Sequence, residues 1–218
     1  MWVIERCTHN VQTVSQVAKP GSGLATLTTS YTYESSFNKV AKAIDPRGKE
    51  TNYTYTAQGN PLTVTYPADA AGVQPSTTYA YISYTPTNFP TFPTFYLRSS
   101  ETSKTSASNS VVTTTTYNTA NKYVPATMVV DSGSGKLNLT TSYTYDGFGN
   151  LTQVDGPRTD VIDTVAYDAE RRVTQITDAL GKFTRQAYDA DGRLVRSAAQ
   201  IGSQWAIGDG VRGHRGRS

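Results

Sequence analysis

The sequence predicts an all-β chain: an array of β-hairpins that pair into one continuous, curved antiparallel sheet, a partial shell or open barrel-like strip. Three observations carry this. First, 15 tyrosines and abundant threonine and serine stand beside few aliphatic residues, a composition suited to pleated, half-exposed strands rather than helices. Second, one phrase recurs, as Tyr145-Asp146-Gly147-Phe148-Gly149-Asn150-Leu151, Tyr167-Asp168-Ala169-Glu170-Arg171-Arg172-Val173 and Tyr188-Asp189-Ala190-Asp191-Gly192-Arg193-Leu194. Third, its spacing of 22 and 21 residues marks an array of small supersecondary units.

Aligned on the tyrosine before the turn, the copies begin at Tyr33, Tyr55, Tyr81, Tyr117, Tyr145, Tyr167 and Tyr188. Five places on stands Asn38, Asn60, Lys122, Asn150, Arg172 or Arg193, with Pro86 as the exception in the Tyr81 copy. An apolar residue then restarts the chain as a strand: Val40, Leu62, Val124, Leu151, Val173 or Leu194. Several copies carry a second turn, at Asp45–Lys49, Asp131–Lys136 and Asp178–Lys182, the last with Gly181 at its fourth position. Asp bonds nearby backbone amides and Gly supplies the positive φ of tight turns. Two turns in roughly 21 residues leave two strands of about six residues, one hairpin per repeat.

Tyr31/Tyr33, Tyr53/Tyr55, Tyr79/Tyr81 and Tyr143/Tyr145 are i,i+2 pairs, so each puts two rings on one side of its strand. Two uses stand open: tyrosine ladders that glue the sheet at roughly 0.2–1 kcal/mol per cross-strand pair, or an aromatic platform for sugar rings. Tyr53, Tyr55, Tyr143 and Tyr145 are the candidate glycan-binding residues.

Residues 1–30 form an N-terminal extension or incomplete repeat, 31–198 the repeat sheet, and 199–218 a Gly/Arg-rich, disordered tail. Within the sheet, about 85–110 is an insertion. Pro86, Pro90 and Pro93 with Phe89, Phe92 and Phe95 suit an extended, polyproline-like path that tucks its phenylalanines against the sheet.

The copies resemble the YD repeats of the RHS/YD-repeat family, which includes the C components of insecticidal toxin complexes and the extracellular teneurins. The resemblance rests on Tyr33, Tyr55, Tyr145, Asn150, Tyr167, Asp168, Arg172, Asp178, Gly181, Tyr188, Asp189, Gly192 and Arg193, and spans about residues 31–196. It implies a β-sheet strip that spirals into a hollow shell, which in bacterial members encloses a toxic C-terminal domain. It also implies a secreted or cell-surface location and carbohydrate binding as a second role. Complete shells of the family use far more repeats, so the chain is expected to be part of something longer. Asp45-Pro46-Arg47-Gly48 resembles the element before the family's autoproteolytic cut. Its place matches Asp178–Lys182 in another repeat, however, so it reads as a turn.

Nothing in the sequence spells a catalytic constellation, a cofactor site or a metal site, and the chain is read as non-catalytic. His9 and His214 lie near opposite ends, and Cys7 is the sole cysteine, which leaves no disulfide and no cysteine metal cluster. Asp189 and Asp191 are paired carboxylates already used by the turn. The net charge is +3, of which the last eleven residues hold about +2, so no basic footprint for nucleic acid exists. No segment approaches the ~18 apolar residues of a membrane span. The expected partners are flanking repeats or an effector domain of a longer chain, and carbohydrate under the second reading. Open sheet edges also invite self-association.

Overall fold

The computed structural model describes residues 2–7, 10–86, 91–106, 108–118, 123–158, 162–201 and 204–209. The chain divides into two compact units, residues 1–114 and 115–218. Both are antiparallel meanders, and the described residues contain no helix.

The first unit runs through β1 (Trp2–Cys7), β2 (Asn10–Gln16), β3 (Leu27–Tyr33), β4 (Val40–Ile44), β5 (Glu50–Tyr55), β6 (Pro61–Thr65), β7 (Ser76–Tyr84) and β8 (Phe95–Lys104). Each strand pairs antiparallel with the next in sequence. Strand β9 (Ser110–Asn118) pairs with β8 through Ser110–Thr114 and continues into the second unit. There the order is β10 (Val124–Val130), β11 (Leu139–Tyr145), β12 (Leu151–Asp155), β13 (Ile162–Tyr167), β14 (Val173–Thr177), β15 (Phe183–Tyr188), β16 (Leu194–Ile201) and β17 (Gln204–Asp209). From β10 to β17 each strand again pairs with its successor.

The hairpin of each repeat is a tyrosine strand joined to an apolar-started strand by one kind of loop. In the Tyr145 copy, Asp146 N–H donates to Asn150 O and Gly149 N–H to Asp146 O, both at 3.0 Å. The same pair of bonds closes the loops at Asp45, Thr56, Asp69, Asp168, Asp178 and Asp189. The fourth loop residue takes the left-handed conformation, as Gly59 does at φ 79° and Gly192 at φ 80°. Arg171 does so without being glycine, at φ 63°. Its guanidinium lies 4.6 Å from the Phe148 ring centroid, a contact that offsets part of the backbone cost.

Every signature tyrosine whose ladder is described sits at a register shift. The breaks fall at Thr32/Tyr33, Thr54/Tyr55, Ala80/Tyr81, Thr144/Tyr145, Ala166/Tyr167 and Ala187/Tyr188. In the last, Ala187 faces Arg196 while Tyr188 faces Leu194, so Val195 is the extra residue. A bulge of this kind bends the strand and increases its right-handed twist. One bulge per hairpin makes that twist a repeated property of the sheet.

The structure departs from the sequence expectations in three stretches. Residues 2–16 form the hairpin β1–β2, which pairs on into the repeats. In the 85–110 stretch Pro86 and Pro93 lie outside the strands, Pro90 is outside the described residues, and the proline-free Phe95–Lys104 forms a long strand beside β7. Phe95 meets Tyr84 at 6.0 Å between ring centroids, whereas Phe92 stays 63% exposed rather than tucking inward, and Phe89 lies outside the described residues. Within 199–218, β17 pairs with β16, and 210–218 lie outside the described residues.

Among the described residues no hydrophobic side chain is fully buried. In each unit the described apolar residues of the sheet are half-buried or exposed.

The turns should be the sensitive points. Gly59 has φ +79°, and an added Cβ would stand 2.9 Å from Phe37 Cδ1, whereas Gly48, at φ +75°, has open space. Gly48→Ala should cost about 1–2 kcal/mol for the backbone alone, and Gly59→Ala more. Urea midpoints of the two variants measure the difference.

Candidate interaction surface

The side chains that define the repeat gather on one face and along one row of turns. Strand pairing puts Tyr31, Tyr33, Tyr53, Tyr55, Val64, Thr77, Tyr79 and Tyr81 on a common face of the first unit. In the second unit the same logic aligns Tyr143, Tyr145, Val154, Val165, Tyr167, Ile176 and Tyr188.

These tyrosines are fixed by their hydroxyls. Tyr33 donates to Val11 O at 2.6 Å, Tyr55 to Val40 O at 2.7 Å and Tyr81 to Pro61 O at 2.7 Å. Tyr167 donates to Leu151 O at 2.9 Å, and the Tyr188 hydroxyl shares its proton between Val173 O at 2.9 Å and Gln186 Oε1 at 2.8 Å. All five acceptors lie on the preceding strand. Beside the two uses that the sequence left open, ladder and sugar platform, Tyr33, Tyr55 and Tyr81 have a hydroxyl–carbonyl bond to the preceding strand. Burial foremost lifts the pKa of Tyr55, Tyr79, Tyr81 and Tyr145 above the ordinary phenol value, so these hydroxyls stay protonated donors.

Cations tie one repeat to the next. Arg172 Nε bonds Asp168 Oδ2 at 2.7 Å within its own loop. The same guanidinium lies 4.8 Å from the Tyr188 ring centroid and reaches Asp189 O at 3.5 Å. Lys39 plays this part in the first unit, with Nζ on Gly59 O and 5.4 Å from the Tyr55 ring. Phe37 packs where a Cβ on Gly59 would fall. The sequence marked Arg172 only as a turn residue. The missed signal was that a cation closes a loop directly before the strand whose first carbonyl, Val173 or Val40, receives the next tyrosine.

The turn carboxylates are fully engaged. Asp189 Oδ1 accepts from the amides of Asp191 and Arg193, and Asp178 Oδ1 from those of Leu180 and Lys182. Asp191 Oδ2 meets Arg193 at 3.0 Å, so the Asp189/Asp191 pair is part of a turn. Asn150 bonds Asp146 through both its amide and its side chain. In the loop after Tyr33, which is one residue longer, Glu34 replaces Asp and its longer side chain reaches the amides of Ser36, Phe37 and Lys39.

Two of the sugar-platform candidates share a cavity. Tyr53 and Tyr55 join Tyr79, Tyr81, Val64 and Arg98 around a cleft of about 400 Å³. Arg98 lies 5.6 Å from the Tyr79 ring and bonds Glu101 at 2.8 Å. Tyr143 and Tyr145 occupy the corresponding face of the second unit. His9 and His214 lie outside the described residues.

A family model described as RHS Repeat matches residues 35–71 and 166–200. These two segments are RHS repeats. Both matched segments contain the loop and hydroxyl bond described above, at Tyr55 and at Tyr188. The Tyr145 repeat, outside them, closes its loop with the same hydrogen bonds. No curated protein matches the chain. Among solved structures, the crystal structure of TcdB2-TccC3-Cdc42 matches at 15% identity and a TM-score of 0.45, over 89% of this chain and 11% of that one. A structure of the Photorhabdus luminescens Tc holotoxin pore matches at 13% identity and a TM-score of 0.29, over 89% of this chain and 15% of that one. The chain therefore spans a small part of the length of those chains.

Two predictions follow from the repeat contacts. Tyr55→Phe removes the half-buried bond to Val40 O and should cost about 0.5–1.5 kcal/mol, measured by urea unfolding. The second concerns acid. Partial desolvation pushes the Asp146 and Asp168 carboxyls upward, but hydrogen bonds from the Asn150 side chain and amide, and from the Arg172 amide and guanidinium, outweigh it. Both pKa values are lowered, as are those of Asp45, bonded foremost by the Lys49 amide, and Glu34, bonded foremost by the Lys39 amide. Lowered folded-state values contribute stability that is complete above the unfolded carboxylate range of about 4 and is lost as pH falls through the folded values. The urea midpoint should hold steady from pH 7 to about 5 and fall below about 4. Asp168→Asn should flatten part of that fall.

Proposed function

We propose that this chain is a non-catalytic wall segment: RHS repeats whose sheet encloses or presents an effector domain of a longer chain. The observation that carries the reading is the sheet layer itself. Its tyrosine face is ordered by inter-repeat bonds, yet among the described residues no hydrophobic side chain is fully buried. Such a layer gains its stability and its use from what lies against it. The turn aspartates commit their carboxylates to loop amides, and Tyr33, Tyr55, Tyr81, Tyr167 and Tyr188 commit their hydroxyls to carbonyls. A secreted or cell-surface location accompanies this role.

Expression in the natural reading frame, with its flanking sequence, tests enclosure. A protease added from outside should leave the adjoining effector segment intact until urea melts the repeats. Equal cleavage of that segment with the repeats folded and unfolded would reject enclosure.

The four-tyrosine cleft beside Arg98 favours one second reading, carbohydrate binding, because tyrosine offers an apolar ring and a polar tip to a sugar. A glycan array should then give a signal that Tyr53→Ala and Tyr79→Ala abolish while the β circular dichroism is kept. Absence of any sugar signal would remove this reading.

A further inference from the structure

The face opposite the tyrosines carries a different concavity in the second unit. Pairing across β13 to β16 sets Ala166, Gln175, Arg185 and Ala198 in one row, with Ala187 and Arg196 in the next. These residues line an open cavity of about 730 Å³. Three alanines leave its floor low, and two arginines rise from it on adjacent strands. Arg185 is held in place: its Nε donates to Gln175 Oε1 at 3.1 Å and its guanidinium lies 4.8 Å from the Phe183 ring. Arg196 is exposed. None of the eight residues lining the cavity is acidic. On the equivalent face of the first unit, Lys42 Nζ meets Glu50 at 2.8 Å.

We infer that this trough docks an extended, acidic polypeptide segment. Four strands at about 4.8 Å spacing make a row of roughly 14 Å, the length of about four residues of extended chain. The alanine floor lets a backbone approach closely. Two guanidinium groups in successive rows suit carboxylates spaced along a chain better than a single compact anion, because each planar fork takes one carboxylate. Within the role proposed above, the occupant would be an acidic stretch of the enclosed or presented domain. Binding is measured separately from enclosure, so a chain that shields its neighbour but ignores acidic peptide fails on this point alone.

The test uses the 218-residue chain and a fluorescein-labelled decapeptide of alternating Glu and Ala, followed by anisotropy. The peptide should bind saturably and more weakly as salt rises, while the Lys/Ala decapeptide should not bind. Arg185→Gln and Arg196→Gln should each weaken binding about tenfold. Ala187→Leu should weaken it too, by filling the floor without changing charge. Arg185→Lys keeps the charge and controls for folding. Should a glutamine variant lose its β spectrum, Ala187→Leu decides. No binding of the Glu/Ala peptide, or unchanged binding by the folded double glutamine variant, overturns the proposal. Tighter binding of an oligothymidine through the same arginines, or displacement of the peptide by inorganic phosphate at equal concentration, overturns it in favour of a nucleic acid or a small anion.

Discussion

The hydrogen bond from a tyrosine hydroxyl to the first carbonyls of the preceding strand holds this architecture together. It matters because no hydrophobic side chain among the described residues is fully buried, so side-chain burial secures these strands only in part. Backbone ladders fix each strand to its neighbour but leave the strand free to slide or flatten. A ring that crosses the gap and donates to one particular carbonyl, as Tyr188 does to Val173, pins register at the end of the strand. The bulge at the same tyrosine falls on its other side, against the following strand, and adds to the local twist.

Around that bond the other interactions fall into order. The loop aspartate uses its carboxylate to organise the turn that follows the tyrosine, and a cation at the loop's end reaches over the next repeat's ring. Arg172 does both, binding Asp168 on one side and lying against Tyr188 on the other. Each contact is modest, since a half-exposed ion pair contributes little and a cation–π contact of this kind about 0.5–1 kcal/mol. Their value comes from recurrence, because in a repeat array each interface stabilises its neighbour.

The legible part of this design was the local part. Asp146, Asp178 and Asp189 could be assigned to turns from sequence because their bonds run to amides two and four residues ahead, within one phrase. The alternation that placed Tyr53 with Tyr55, or Tyr143 with Tyr145, on one face is likewise local. The hydroxyl acceptors were not legible, because Tyr55 to Val40 and Tyr188 to Val173 span 15 residues and depend on how neighbouring strands come into register. The strand β8 was hidden for another reason: the prolines of 86–93 dominate the local signal, although they end just before it. The Ala166–Ala198 trough depends on four strands aligning, and a sequence met one strand at a time shows only scattered alanines.

The two faces of this sheet therefore differ in the freedom left to their side chains. On the tyrosine face, Tyr33, Tyr55, Tyr81, Tyr167 and Tyr188 each commit a hydroxyl to the repeat, so a ligand there must be recognised by ring faces and by what remains beside them, such as Arg98. On the opposite face the repeat makes fewer demands, because no signature residue points that way. Positions equivalent between repeats are free to diverge, as Asn52 and Arg185 do, each standing three residues before its signature tyrosine. Divergence on the undemanding face is how an otherwise uniform wall can acquire a local chemistry, and the arginine-flanked trough of β13–β16 is where this chain has done so.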